Sequence, residues 1–108
     1  MLDKLTKESF APHVNQIFNL DLDGQGFVPL QLTSVTAHPA YPGSQRAALQ
    51  GAVLRQEGFT LTFHGPSRPA LPQRMYNLEH DTMGKLEMLF LVPVGEDGHG
   101  RTYEAVFN

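Results

Sequence analysis

A period of two runs through most of this chain, and it leaves little choice of secondary structure. Phe18, Leu20 and Leu22 alternate with Asn19, Asp21 and Asp23, and beyond Asp23-Gly24-Gln25-Gly26 the pattern resumes as Val28, Leu30 and Leu32 alternating with Pro29, Gln31 and Thr33. Side chains two apart lie on one face of a strand, so each run presents an apolar face and a polar one. Asp23-Gly24 tolerates positive φ, so the two runs read as a hairpin. Pro29 has no N–H to give to a ladder and belongs where its amide faces solvent or a bulge.

The same pattern returns further on. Phe59, Leu61 and Phe63 alternate with Thr60, Thr62 and His64, and Met75 to His80 alternates before the turn "DTMG". Leu86 to Val94 is the most apolar run, which predicts a strand buried on both faces at its centre, with pairing that ends or bulges at Pro93. "GEDGHG" then leads into Arg101–Phe107, with Tyr103, Ala105 and Phe107 on the core side and Val106 on the other. The final run is thus expected to be a core strand. "AHPAYPGSQ" and "GPSRPALPQ" read as proline-stiffened loops. "RAALQGAVLRQ" between them suits either a helix at Ala47–Leu49 or a strand at Ala52–Leu54.

Near the start, Thr6 can cap a short helix beginning at Lys7, with Leu5 and Phe10 placed as a hydrophobic staple and Pro12 ending it. A helix so short must be pinned by those two side chains. The chain has 108 residues, the size of one domain, here 1–108, with one core. The predicted fold is all-β: a small antiparallel sandwich or barrel of about six or seven strands with a short N-terminal helix.

Charge and composition exclude several functions. The formal net charge is -3, and Lys4, Lys7, Arg46, Arg55, Arg68, Arg74, Lys85 and Arg101 are scattered singly, which gives no basic surface for nucleic acid. There is no cysteine, hence no disulfide, thiolate metal site or cysteine nucleophile. "MLDKLTKESF" lacks the apolar stretch of a signal peptide, and no run is long enough for a membrane-spanning helix, so the expected location is cytoplasmic.

Candidate chemistry is sparse. Asp21, Asp23, Gln25 and Gly26 fall at the first, third, fifth and sixth positions of a calcium loop, but Pro29 and Leu32 occupy the ninth and twelfth, where ligands should close the shell. Glu79-His80-Asp81 groups three ligand types in an extended segment, whose neighbours point to opposite faces. His13, His38, His64 and His99 form no His-x-His or helical pair. No Gly-x-Ser-x-Gly elbow accompanies Ser9, Ser34, Ser44 or Ser67, and Glu96-Asp97 lies in a turn where water keeps both acids ionised. No dinucleotide or phosphate-loop glycine pattern is present. Phe59, Leu61 and Phe63 share a face without Lys or Arg between them, as core residues do and base-stacking ones do not.

No catalytic, cofactor-binding or metal-binding residue is therefore assigned and no cofactor is expected. The expected role is that of a non-enzymatic structural or interaction domain with a protein partner or a second copy. The alternative is a barrel that takes an apolar small molecule through a mouth lined by Phe59, Leu61, Phe63, Tyr76, Leu78 and Tyr103. An enzyme would need His64 or His80 to share a cleft with a carboxylate.

Four motifs add a resemblance. Phe-x-Pro-x-Val is formed by Phe10, Pro12 and Val14; Tyr-x-Leu-Glu-His by Tyr76, Leu78, Glu79 and His80; Phe-Leu-x-Pro-x-Gly by Phe90, Leu91, Pro93 and Gly95; and Ala-Val-Phe-Asn by Ala105 to Asn108. Together they resemble a family of small uncharacterised bacterial domains of unknown function. The likeness spans nearly the whole chain and is weakest over Ala37–Gln56. It implies a link to phage-tail-like assemblies and brings no catalytic or binding residues.

Overall fold

A computed structural model describes residues 5–38 and 58–107. The ambiguous stretch 46–56 lies outside the described residues, as does all but the first two residues of the loop expected from Ala37. The predicted hairpin is present, with β1 over Ile17–Asp21 and β2 over Phe27–His38. Phe18 faces Leu30 and Leu20 faces Val28 across it. Its turn has positive φ at both Asp23 (52°) and Gly24 (83°), closed by the Gln25 N–H donating to the Leu22 carbonyl at 2.9 Å. Asp21 Oδ1 accepts the Gly24 N–H at 2.8 Å, so the aspartate stiffens the turn it precedes. Pro29 stands opposite Asn19, ahead of the point where β2 begins to pair on its other side at Gln31.

Four more strands follow: β3 (Gly58–Gly65), β4 (Arg74–His80), β5 (Gly84–Asp97) and β6 (Gly100–Phe107). Every pairing is antiparallel, and the order β1-β2-β3-β6-β5-β4 returns to β1 through Leu20 opposite Leu78. The sheet is a closed six-stranded barrel, which decides between the two predicted architectures. Its β5–β6 turn depends on Gly100, at φ 148°, where any side chain would collide with the Gly65 carbonyl.

Bulges bend the wall so that it can close. In β2 the register slips between Leu32 and Ser34, which moves Val35 and Ala37 to the side that Leu30 and Leu32 occupy. The Thr33 hydroxyl donates to the Thr62 carbonyl at 3.0 Å beside this slip. In β5, Leu86 pairs with Leu78 and Leu89 with Tyr76, so Glu87 and Met88 together oppose Asn77. Met88 takes φ 62° and its N–H donates to Asn77 Oδ1 at 3.0 Å. A third slip lies between Pro93 and Gly95, where the sequence placed a break or bulge.

The second of these corrects the reading of β5. Leu86, Leu89 and Leu91 face the interior, but Met88, Phe90 and Val94 point outward and are exposed, so the strand is not buried on both faces. A wall closed on itself has a single interior face, and a continuous apolar run in it must show one of its two phases to the outside.

Both ends of the tube are stoppered. The helix α1 (Lys7–Phe10) is opened by Thr6, whose N–H donates to Ser9 Oγ at 3.1 Å while the Ser9 N–H donates to the Thr6 carbonyl at 2.9 Å. Leu5 packs half-buried against the core, as the staple requires. A 3-10 turn over Ala11–His13 contains Pro12 and ends the helical segment. Phe10 drops into one mouth, fully buried, with its ring centre 6.4 Å from Phe18, 5.9 Å from Phe59 and 5.8 Å from Phe107. At the other end Leu71 folds over the opening and its N–H donates to the Tyr103 hydroxyl at 3.1 Å.

Phe10 joins three strands that are otherwise distant in sequence, so Phe10→Ala should destabilise the fold by about 3–5 kcal/mol, read as the change in urea midpoint. A loss under 1 kcal/mol, roughly the size of a surface substitution, would show that the helix is not a stopper. Because β6 pairs with β3 and β5 at once, deleting Tyr103 to Asn108 should abolish the cooperative thermal transition followed by circular dichroism.

Candidate functional site

The residues expected to line a ligand mouth lie in the barrel's core. Phe59, Leu61, Phe63, Tyr76, Leu78 and Tyr103 all belong to the buried core cluster, together with Phe10, Phe18 and Leu71 from the two stoppers. The two tyrosine hydroxyls are committed as well, Tyr103 to Leu71 and Tyr76 donating to the Pro72 carbonyl at 2.7 Å.

The side chains of the calcium-like loop are spent on the fold. Asp21 holds the Gly24 N–H, and Asp23 pairs with Arg74 at 3.0 Å, whose guanidinium lies 4.9 Å over the Tyr76 ring. Glu79 and His80 point to opposite sides of β4: His80 inward, Glu79 toward an outer hollow of about 190 Å3 that Asp21, Asn77, Lys85 and Glu87 also line. His64 comes within 3.8 Å of Asp97 on the open surface, beside the ion pair Arg101–Glu96. The Asp97 carboxyl sits below its usual pKa chiefly because it accepts the His99 N–H. These groups stand on strand ends beside the β5–β6 turn, part-exposed to solvent.

Sequence reasoning missed one polar cluster. His80 is 7% exposed and its ring stacks on Phe18, with centres 4.5 Å apart. Its Nδ1 accepts the N–H groups of Thr82 and Met83 at 3.0 and 3.1 Å, and its Nε2 lies 2.6 Å from Gln16 Oε1. The same amide oxygen lies 3.0 Å from His13 Nδ1, and the two imidazole centres are 4.5 Å apart. The segment that follows α1 is thus latched to the end of β4. The inward phase of Tyr76, Leu78 and His80 was visible in the alternation; the partners of His80 were not.

The outer wall carries the other unusual feature. Met75 and Phe90 are cross-strand partners on the outside of β4 and β5, exposed by 48% and 43%, and Met88, 62% exposed, follows on the bulge. Val92 faces Glu104 of β6, and Val106 stands two residues beyond Glu104 on the same outward side, itself half open to solvent. These side chains form an apolar band across three neighbouring strands.

A family model described as a domain of unknown function, DUF6916, matches residues 5–107. The chain belongs to this family. No curated protein and no solved structure matches it. In this DUF6916 member the residues that carried the sequence resemblance fall into two sets: Phe10, Tyr76, Leu78, His80, Leu91, Ala105 and Phe107 are buried, whereas Phe90 and Val106 are exposed on the outer wall.

The chemistry of the latch follows from its hydrogen bonds. With two N–H groups pointing at Nδ1, His80 must carry its proton on Nε2, and donates it to Gln16. A metal at Nε2 would need that proton moved to Nδ1, against the two backbone donors. The pair is built to hold a neutral imidazole. Burial, and next the neighbouring His13, push the His80 pKa below the usual histidine value, with Asp81 pulling weakly the other way.

The sign of the resulting pH dependence is fixed. A base whose folded pKa is depressed leaves the unfolded chain holding more protons between the folded pKa and about 6.5, so stability rises with pH there. The contribution is complete above about pH 6.5 and is lost as the pH falls through the folded pKa. In His80→Asn, Oδ1 can accept the same turn N–H groups without titrating. The parent should melt at lower temperature as the pH is reduced from 7.5 to about 5, and His80→Asn should show a flatter profile. Parallel profiles would mean that His80 does not couple protonation to folding.

Proposed function

We propose that this domain is a non-enzymatic interaction module that receives a protein partner on the outer wall of β4, β5 and β6. The observation that carries the proposal is the outward placement of Met75, Met88 and Phe90 in one band, joined by Val92 and Val106. Contiguous exposed apolar surface on a small domain is characteristic of a contact face, and methionine suits such a face because it adapts to its partner. The interior is compatible with the same reading, since the side chains that an apolar ligand would have to meet are buried in the core cluster. The polar groups support it too: the acids of the β1–β2 turn and the histidine latch each have a structural task.

A cytoplasmic setting is part of the proposal. No helix among the described residues is long and apolar enough to cross a membrane. The phage-tail-like assembly implied by the resemblance is a setting in which a small barrel would work by contact alone.

A photo-crosslinking residue placed at Met88, and separately at Thr36 on the far side of the barrel, tests this in the native cell. Discrete adducts should form from position 88 and disappear when Phe90→Glu is added, while position 36 yields none. Equal adducts from both positions, or none from position 88, would remove the wall as a docking face.

A further inference from the structure

The charges around the apolar band indicate what kind of surface it meets. Among the described residues, the arginines of β4 and β6 are both already matched: Arg74 with Asp23 at 3.0 Å and Arg101 with Glu96 at 2.7 Å. Glu87 and Glu104 border the band, and neither has a cationic partner among the described residues. Glu104 stands opposite Val92, and Glu87 precedes Met88 on the bulge. The polar hollow adjoins the band through Asn77, whose Oδ1 accepts the Met88 N–H. Asp21, Glu79 and Glu87 line that hollow against the single cation Lys85. Among these described residues the acidic side chains therefore outnumber the cationic ones.

We infer that the band takes a protein surface whose apolar residues are flanked by lysine or arginine, with one cationic side chain reaching into the hollow between Glu79 and Glu87. This rests on the docking role proposed above and specifies its partner. A second copy of the chain fits worse, because it would bring the same acidic border against this one, and like charges across an interface are unfavourable. A cationic side chain entering a recess lined by three carboxylates and one lysine gains charge-assisted hydrogen bonds, and its stem can lie along Met88.

The test uses two synthetic amphipathic peptides as probes, one of leucine and lysine and its counterpart of leucine and glutamate, with binding followed by fluorescence anisotropy and by the methionine methyl resonances. The lysine peptide should bind, shift the Met75 and Met88 methyl signals, and weaken with added salt; the glutamate peptide should not. Reversing the border charges with Glu87→Lys and Glu104→Lys should weaken the lysine peptide about tenfold, whereas Glu8→Lys with Asp81→Lys, an equal change of net charge near the helical stopper, should change it less than about twofold. Phe90→Ser should weaken it without any change of charge, and its methyl spectrum reports whether the fold is intact.

Equal losses from both charge reversals would overturn the inference, since net charge alone would then govern binding. So would equal binding of the two peptides, or a concentration-dependent dimer in sedimentation that is lost with Phe90→Ser. If position 88 forms its adducts in cells while the peptides show no charge preference, the docking face stands and the basic partner falls.

Discussion

Closing six strands on themselves gives every strand two neighbours, and it also creates a tube with two openings that must be filled. The contact between Phe10 and the rings of Phe18, Phe59 and Phe107 meets that need at one end. Phe59 and Phe107 stack there with centres 4.5 Å apart, on the strands β3 and β6 that pair side by side. Without the stopper, the inner face of the wall would be wet at the end where aromatic side chains are most concentrated. The fixed placement of α1 and the latch from Gln16 to His80 follow from seating that one ring. Leu71 under the Tyr103 hydroxyl is the smaller version of the same solution at the far end.

Much of this wall was legible because alternation is a local signal. Phe18 to Leu32 and Tyr103 to Phe107 each needed only their own side chains to be placed inward or outward, as did Phe59, Leu61 and Phe63, although Thr60 of the polar phase is buried as well. Thr6, Lys7 and Phe10 were equally local, since capping and stapling operate within a few residues. Closure was not legible. It rests on Leu20 meeting Leu78, a pairing between distant segments that no local pattern encodes. The β5 strand misled for a related reason: Met88, Phe90 and Val94 are as apolar as Leu89 and Leu91, and only the bulge and the single interior face separate them.

The same division applies to the candidate contact face. Its apolar character could be read from Leu86 to Val94, but its exposure depends on closure. The histidine latch shows the limit most sharply. His80 follows Tyr76 and Leu78 in the inward phase, so its burial was implied, yet His13 and Gln16 reach it only because α1 stoppers the barrel. The four motifs that carried the resemblance divide between buried positions such as Phe10, Tyr76 and Leu91 and exposed ones such as Phe90 and Val106, so they speak for the barrel and for its outer wall alike.

Among the described residues the barrel has no unpaired strand at its margin, since β1 meets β4. These strands offer no free edge for a partner to extend the sheet, so the proposed contact would be made by side chains. Two of those side chains, Met75 and Met88, are thioethers open to solvent. Oxidants that convert thioethers to sulfoxides would reach them before any buried group, and would turn the centre of the band polar while leaving the barrel intact. Methionine sulfoxide reductases would reverse that change of polarity.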